Sequence, residues 1–345
     1  MKPITLHEVA KAAGVSLITA SRALSNPGRV SEATAERVQA IAAEIGYVPN
    51  LLAGGLRLRR SRTVAALVPE ISVSQFLPTV ATLTEEFAAE GYQVILGQTG
   101  YDRAREAALL ETMIGRRVDG IVVTGLLKPD PEIRRQLLAS RIPVVETWDL
   151  TSNPFDMVVG FSHLKVGAAV AGFFLRNGWE KVGIATGSDH RAAVRREGFL
   201  SAWGSEVPTA VVPAPSSVAL GRRALGELLD QEPDLQAVFC SADTLAEGVM
   251  TEARARGLDV PQDLAVCGFG GAVFCPYLLP SLTTVQIDGV GIGRHAMSML
   301  MQCIEGQRPT EHILDVGFQI VERESTARAG RARSADTTSV SDRPE

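Results

Sequence analysis

The stretch TLHEVAKAAGVSLITASRALSN (Thr5–Asn26) decides the fold of the N-terminal end of this chain of 345 residues. Apolar residues recur at helical spacing after Thr5, which can cap the first helix together with Glu8. Gly14 permits a sharp turn, and Ser16 can cap a second helix. The apolar positions of the first helix are Leu6, Val9, Ala10 and Ala13. Two short helices joined by a glycine turn predict a helix-turn-helix.

The second predicted helix has two faces. Val15, Ala20 and Leu24 face the first helix, and the outward positions are Leu17, Ile18, Ser21 and Arg22. A third helix begins after Ser31 and ends at Gly46, with one apolar face that braces the other two. The second helix is slim enough to enter the major groove of DNA. On spacing alone, a three-helix bundle without a ligand remains the alternative.

Charge is distributed unevenly along the chain. Residues 1–62 hold nine Lys or Arg against four Asp or Glu, whereas the whole chain has 34 basic against 39 acidic residues. A small basic head on an acidic body indicates that only the head meets a polyanion.

From Thr63 onward, short apolar runs alternate with amphipathic helical segments. Strand candidates include TVAALVPE, GIVVTG and PVVETWD in the first half and KVGIATG, AVFCSAD and LAVCGFG in the second. This alternation predicts parallel sheets covered on both sides, with enough strands for two doubly wound lobes. Ligands of such sheets lie at the carboxyl ends of the strands, so two facing lobes predict a binding cleft.

Several function classes are disfavoured. The longest apolar patch, VGAAVAGFFL, is too short to span a bilayer, and the N-terminus lacks a secretion-signal pattern, so we expect a cytoplasmic, nucleoid-associated protein. The four cysteines show no metal-ligand spacing, and neither a metal nor a cofactor is expected. GxSxG, P-loop and dinucleotide-binding signatures are missing, which argues against an enzyme. A periplasmic-type sugar-binding module is a further alternative, disfavoured by the head.

The head, TLHEVAKAAGVSLITASRALSN followed by VSEATAERVQAIAAEIGYVPNLLAGGL, resembles the lactose-repressor (LacI) family along its whole length. The resemblance implies that Leu17 and Ile18 touch base edges, which as apolar side chains they can do only through thymine methyls and shape. It implies that the residues contacting mainly phosphates are Thr5, Ser16, Thr19, Ser21, Arg22 and Asn26. Leu6, Tyr47, Asn50 and Ala53 complete the predicted DNA-binding set, and Leu56 matches the family's minor-groove wedge.

The resemblance also implies the domain plan, a helix-turn-helix head on a periplasmic-binding-protein-like body. We expect a DNA-binding domain at 1–48, a hinge helix and linker at 49–62, and a two-lobed body at 63–325. The first lobe takes about 63–161 and 290–318, and the second about 162–288 and 319–325. Residues 326–345 are polar and predicted to be disordered. Since this tail lacks leucine heptads, a homodimer bound to a near-palindromic operator is expected.

Within the family, the body resembles the gluconate-repressor type through TGYDRAREAALLETMIGRRVDGIVVT, IPVVETWD and VCGFGG. Arg195 matches the family's effector-binding arginine, and Asp243 matches its hydroxyl-binding acid. The other predicted effector residues follow strand ends or the first crossover: Gln75, Phe76, Tyr101, Thr124, Glu146, Phe161 and Gly270. His163 and His190 are interpreted as isolated residues without a role.

Four positions depart from the family pattern. Ser162 and Gly270 stand where aspartate is usual, Ala242 where asparagine is usual, and Ser216 where several sugar-binding members have an aromatic ring. A pocket with fewer acids and no stacking platform favours a small, open-chain acid such as gluconate or 2-ketogluconate. The sequence therefore predicts a repressor of sugar-acid catabolism genes, with a neutral sugar or other metabolite as the alternative effector.

Overall fold

The computed structural model describes residues 4–48 and 60–327, and the chain divides into two compact units, Met1–Arg62 and Thr63–Glu345. The predicted hinge residues Asn50, Ala53 and Leu56 lie outside the described residues. No helix in the described ranges is long and apolar enough to cross a membrane.

Within residues 4–48, the first unit contains three α-helices, α1 (Leu6–Ala12), α2 (Leu17–Ser25) and α3 (Glu32–Glu44). The Thr5 amide donates to Glu8 Oε2 at 2.6 Å, and Ser16 Oγ accepts from the Thr19 amide at 3.1 Å. Gly14 turns between α1 and α2 with a φ of +63°, a conformation that favours glycine. The core is built of small residues, which lets the helices approach closely: Val9, Ala10, Ala13, Ala20, Ala23, Val38 and Ala42. The helix-turn-helix prediction is confirmed.

The second unit contains two six-stranded sheets, the first of which defines the first lobe. Its strands, in spatial order, are β11 (Ile313–Asp315), β5 (Met157–Gly160), β4 (Val144–Thr147), β3 (Gly120–Thr124), β1 (Thr63–Val68) and β2 (Gln93–Gln98). All neighbouring strands pair in parallel. The helices of this lobe are α4 (Leu77–Ala89), α5 (Arg103–Arg116), α6 (Pro131–Ser140) and α11 (Gly289–Ile304), and α11 packs on α4, β4 and β5.

The second lobe is built on the other sheet. Its strands, in spatial order, are β12 (Gln319–Val321), β10 (Thr283–Gln286), β9 (Ala265–Gly270), β8 (Ala237–Cys240), β6 (Val182–Gly187) and β7 (Thr209–Val212). Its helices are α7 (His163–Arg176), α8 (His190–Trp203), α9 (Val218–Gln231) and α10 (Asp243–Ala255). One detail differs from the prediction of parallel sheets: the edge strand β12 pairs antiparallel to β10, because the chain arrives there from the opposite lobe.

The chain passes between the sheets three times. The passages lie between Gly160 and His163, between Gln286 and Gly289, and between Asp315 and Gln319. The first passage leads directly into α7, which packs against α8 at backbone contact: a Cβ on Gly167 would lie 1.9 Å from the Arg195 carbonyl oxygen. This close approach brings the first turn of α7 beside the cleft-facing side of α8.

The predicted disordered tail begins at residue 326, and its residues 328–345 lie outside the described residues. Ser325 and Thr326 are buried, and Thr326 Oγ1 lies 2.6 Å from Thr283 Oγ1. Ser325 Oγ donates to the Val266 carbonyl at 2.6 Å and accepts from the Thr283 amide at 2.8 Å. Buried hydroxyls need such partners, and their hydrogen bonds fasten this segment to the second lobe.

Candidate recognition helix and interlobe cleft

The outward face of α2 presents two apolar side chains at its first turn. Leu17 is 47% exposed and Ile18 55%, whereas Ala20 and Ala23 on the opposite face are fully buried. Isolated, exposed aliphatic side chains at a helix N-terminus can pack on base edges when the helix enters a groove. This arrangement is compatible with the predicted contact of Leu17 and Ile18 with DNA.

Polar groups suited to phosphates surround those two residues. Ser16 Oγ lies 2.8 Å from Thr19 Oγ1 at the start of α2, while Thr5, Arg22 and Asn26 are exposed. Leu6 and Tyr47, also in the predicted DNA-binding set, are half-buried and pack against the apolar core of the head. Their side chains support the helices, which the apolar periodicity of α1 already indicated for Leu6.

Arg195 is the central group of the interlobe cleft. It projects from α8, is 4% exposed, and stacks its guanidinium over the Phe269 ring at 3.9 Å. Its Nη2 donates to the Ser241 carbonyl at 3.0 Å, and its Nη1 lies 2.9 Å from His163 Nδ1. Its Nε is buried without a hydrogen-bond partner. Burial lowers the pKa of Arg195 to about 10, so the side chain stays charged at neutral pH.

His163 was interpreted from the sequence as having no role, and this was wrong. Its Nε2 lies 3.0 Å from the Trp148 carbonyl oxygen in the first lobe, while its Nδ1 meets Arg195 in the second. Burial, and secondarily the charge of Arg195, hold the pKa of His163 well below its usual value. The imidazole is therefore neutral and connects the two lobes. The first passage between lobes, which ends at His163, was the one sequence signal for this position.

A second arginine, not predicted, shares the cleft. Arg191 lies one helical turn before Arg195 on α8 and stacks over the Phe76 ring of the first lobe at 5.3 Å. Its Nη1 is also buried without a partner. Its spacing of four residues from Arg195 on one helix was the signal that could have identified it.

Acidic and phenolic groups complete the polar surface around these arginines. The pKa values of Asp149 and Tyr101 are raised by burial, and the charges of Arg191 and Arg195 partly counter that effect on both. Asp189 acts on the Tyr101 phenol from the second lobe. The sequence-based expectation of a pocket poor in acids is thus incomplete, because Asp149 and Asp189 were not counted.

An aromatic wall borders the arginines. Trp148 meets Phe76 edge-on at a centroid distance of 5.1 Å and Phe161 at 6.0 Å, and Phe161 in turn contacts the rings of His163 and Phe269. Trp148 Nε1 donates to Thr79 Oγ1 at 2.9 Å. Phe76 and Phe161, both predicted as effector residues, are therefore brought together by the fold in this aromatic wall.

The lobes touch directly at two glycines. A Cβ on Gly270, which has a φ of +127°, would lie 3.0 Å from Gln75 Oε1 of the first lobe. A Cβ on Gly125, directly after Thr124, would lie 3.4 Å from Arg191 Nη1. Gln75, Thr124 and Gly270 are thus at the interlobe boundary, where a side chain on Gly270 would crowd Gln75.

The carboxylates of Glu146 and Asp243 accept hydrogen bonds from neighbouring loops and strands. The two oxygens of Glu146 accept hydrogen bonds from the backbone amides of Leu127 and Phe155. Asp243 accepts from the Ala272 amide at 2.7 Å and from Thr284 Oγ1 at 2.6 Å. Burial raises the pKa of both carboxyl groups. Both acids thus hold loops at the strand ends, and direct contact of either one with the effector stays a prediction.

Two surface hollows lie away from the arginines of the cleft. A hollow of about 840 Å³ lies on the face of α8 opposite Arg195 and is lined by Arg196, Glu197 and Ser201 among others. A second hollow, of about 520 Å³, lies between α9 and α10. Within residues 4–48 and 60–327, no group of three or more His, Cys, Asp or Glu side chains is arranged to hold a metal ion.

Comparison with known proteins identifies both units. The family model of bacterial regulatory proteins of the lacI family matches residues 5–50, and that of the periplasmic binding protein-like domain matches residues 171–326. The HTH-type transcriptional regulator GntR of Pseudomonas aeruginosa is 37% identical over 331 residues, covering 93% of this chain and 95% of that protein. The regulator IdnR of Escherichia coli is 30% identical over 322 residues, covering 92% and 97%.

Solved structures show the same architecture. A LacI-family transcriptional regulator from Silicibacter pomeroyi is 31% identical with a TM-score of 0.88, covering 94% of this chain and all of that chain. The regulator GntR from Chromobacterium violaceum is 32% identical with a TM-score of 0.73, covering 76% and 99%.

Proposed function

Since the chain belongs to the LacI family of bacterial regulatory proteins, we propose that it is a dimeric repressor whose operator affinity changes when a sugar acid binds between the lobes of its body. The chain is a DNA-binding transcriptional regulator rather than an enzyme, and its relatives GntR and IdnR match the gluconate-repressor subgroup that its motifs resemble. Members of the family bind operators and small effectors and act as dimers.

The observation that carries the proposed ligand class is the Nε of Arg195. A buried N–H without a partner loses its hydration and gains nothing in return, which costs about 1–3 kcal/mol. A carboxylate placed there accepts a charge-assisted hydrogen bond from a guanidinium held rigid by Phe269, Ser241 and His163. Gluconate and 2-ketogluconate combine such a carboxylate with hydroxyls for the acids nearby.

Asp149 and Asp189 support the polyhydroxy part of the ligand. Each retains an oxygen beyond the one that accepts a backbone amide, from Leu150 and Ala192 respectively. Ionised acids accept hydrogen bonds from sugar hydroxyls. The same acids would suit a neutral sugar, which is the second candidate for the effector.

The proposed regulation follows from the placement of the site. The ligand would contact groups from both lobes, so it would favour one relative arrangement of the lobes over another. An effector changes DNA affinity only through such a differential affinity, typically about 1–3 kcal/mol. We propose that the ligand relieves repression. The repressor would bind a near-palindromic operator through two copies of α2, and it would act on the chromosome in the cytoplasm.

The proposed homodimer has a candidate surface in the second lobe. Val273, Tyr277 and Leu279 are 76%, 83% and 79% exposed within one short segment. Large apolar side chains grouped in this way on a regulator that acts as a dimer favour burial against a second copy.

A thermal-shift panel on the full chain tests the effector class. Gluconate, 2-ketogluconate and their neutral parent sugars are compared at concentrations far above the expected dissociation constant. At 100 times that constant a ligand adds about 2.7 kcal/mol to stability. A shift with a sugar acid that is lost in Arg195→Gln supports the proposal, and shifts with neutral sugars alone would overturn it.

A further inference from the structure

The polar groups of the cleft are not limited to the arginine that matches the family motif. Arg191 and Arg195 are four residues apart on α8, so their side chains leave the helix on the same face. Arg195 stacks on Phe269 of its own lobe, whereas Arg191 reaches over to Phe76 of the other lobe. Each guanidinium is thereby held over an aromatic ring, and each keeps one N–H that has no hydrogen-bond partner.

Both arginines have an unsatisfied buried donor. These are Nη1 of Arg191 and Nε of Arg195. The ion pairs found among the described residues include neither arginine. In folded proteins such donors are rare and call for a partner, and a carboxylate has two oxygens that can serve two donors at once.

The neighbours of the pair leave room for an added negative charge. His163 meets Arg195 as a neutral acceptor and contributes no charge. Asp149 acts electrostatically on both arginines and Asp189 acts on Arg195, but one oxygen of each aspartate is already occupied by a backbone amide. The arginines thus favour an acid group and the aspartates favour hydroxyls.

We propose that Arg191 and Arg195 together form a two-guanidinium site for a single carboxylate, and that Arg191 is the residue that makes the cleft select an acid over the matching neutral polyol. This inference rests on the proposed function for its ligand class, a short, open-chain polyhydroxy monocarboxylate. The site also joins the lobes, because the guanidinium of Arg191, on the second lobe, lies over Phe76 and close to Gly125 of the first lobe.

The test compares Arg191→Gln with Arg196→Gln in the full chain. Arg196 is on the same helix but lines the hollow on its opposite face, so its substitution is a matched control for charge removal. Gluconate, 2-ketogluconate and the neutral polyol sorbitol are titrated by calorimetry. We expect Arg191→Gln to bind the sugar acid about 10–100-fold more weakly, as for loss of a charged hydrogen bond, while sorbitol binding and the Arg196→Gln control stay unchanged.

Arg191→Lys serves as the second variant. It keeps the charge but loses the planar fork, so it should recover part of the affinity for the acid. Equal binding of the acid by Arg191→Gln and wild type would overturn the inference. So would an equal loss in Arg191→Gln and Arg196→Gln, which would indicate only the net charge of the helix.

Acetate separates this inference from the proposed function. If wild type binds no sugar acid, the proposed effector class fails. Thermal shifts with acetate at constant ionic strength then test whether the two arginines bind a carboxylate at all. Stabilisation of wild type and Arg196→Gln, but not of Arg191→Gln, keeps the carboxylate site. No stabilisation of wild type by acetate overturns it.

Discussion

The imidazole of His163 joins Trp148 of the first lobe to Arg195 of the second, with its Nε2 3.0 Å from the Trp148 carbonyl oxygen and its Nδ1 2.9 Å from Arg195 Nη1. A carbonyl only accepts, so the proton is assigned to Nε2, and Nδ1 then accepts from the guanidinium. One neutral ring thus fixes the direction of the cleft arginine and ties it to the opposite lobe.

Replacing His163 should disturb Arg195 to an extent that depends on whether the new side chain can accept a hydrogen bond. His163→Leu removes the acceptor and leaves a buried N–H unpaired, so it should lower the free energy of unfolding by about 1–3 kcal/mol. Sugar-acid affinity should fall about tenfold, equal to about 1.4 kcal/mol. His163→Gln offers both a donor and an acceptor and should retain most of that affinity. Calorimetry on both variants checks this, and equal behaviour of Leu and Gln would contradict it.

The buried carboxyl of Asp243 predicts a pH dependence with a definite sign. Burial raises its pKa in the folded state, so the folded protein takes up this proton at a higher pH than the unfolded chain. Wild type should therefore gain stability relative to Asp243→Asn as the pH falls through the folded-state pKa, and lose that gain as the pH rises.

Urea unfolding at a series of pH values from neutral down through the ordinary range of carboxyl groups measures this difference. Tryptophan fluorescence reports on the body alone, because Trp148, Trp179 and Trp203 all lie in it. A difference between wild type and Asp243→Asn that stays constant over this range, or shrinks on acidification, would contradict the raised pKa.

The exposed aliphatic residues of α2 predict how the operator is read. Replacing thymine by uracil removes the 5-methyl group that Leu17 and Ile18 can contact. This change should weaken wild type but not Leu17→Ala/Ile18→Ala. Arg22→Ala should instead weaken binding to all sequences. It should also reduce the slope of log affinity against log salt concentration by about one. Fluorescence anisotropy with DNA selected from a random palindromic pool measures both, and an equal uracil effect in the two proteins would refute methyl readout.

Much of this organisation was predictable because it depends on local periodicity. The capping of α1 by Thr5 and of α2 by Ser16, and the alternation of strands and helices, follow from short-range rules that hold in most contexts. Arg195 was predicted as an effector-binding residue from the family motif that it matches.

The cleft partners were harder to predict, because they meet only through the fold. His163 and Trp148 are 15 residues apart, and Arg191 meets Phe76 from the other lobe. The roles of Glu146 and Asp243 are ambiguous in the sequence for a related reason. An acid after a strand can bind a ligand or hold a loop, and only its backbone partners distinguish the two.

The exposed apolar segment of the second lobe predicts the assembly. Leu279→Asp or Tyr277→Asp places a charge on the proposed dimer surface and should shift the protein toward monomer by 10-fold or more in dissociation constant, about 1.4 kcal/mol. Sedimentation velocity measures the distribution, with exposed Leu175→Asp on α7 as the control. A wild-type monomer, or unchanged dimerisation in both variants, would place the interface elsewhere.

The most direct test of the account is the operator affinity of the full chain with and without a sugar acid. With selected palindromic DNA, gluconate or 2-ketogluconate should weaken wild-type binding by about 5–150-fold, the usual range of allosteric coupling. The same ligands should leave Arg195→Gln bound to DNA. An operator affinity that no sugar acid changes, or that changes equally in Arg195→Gln, would contradict the central claim.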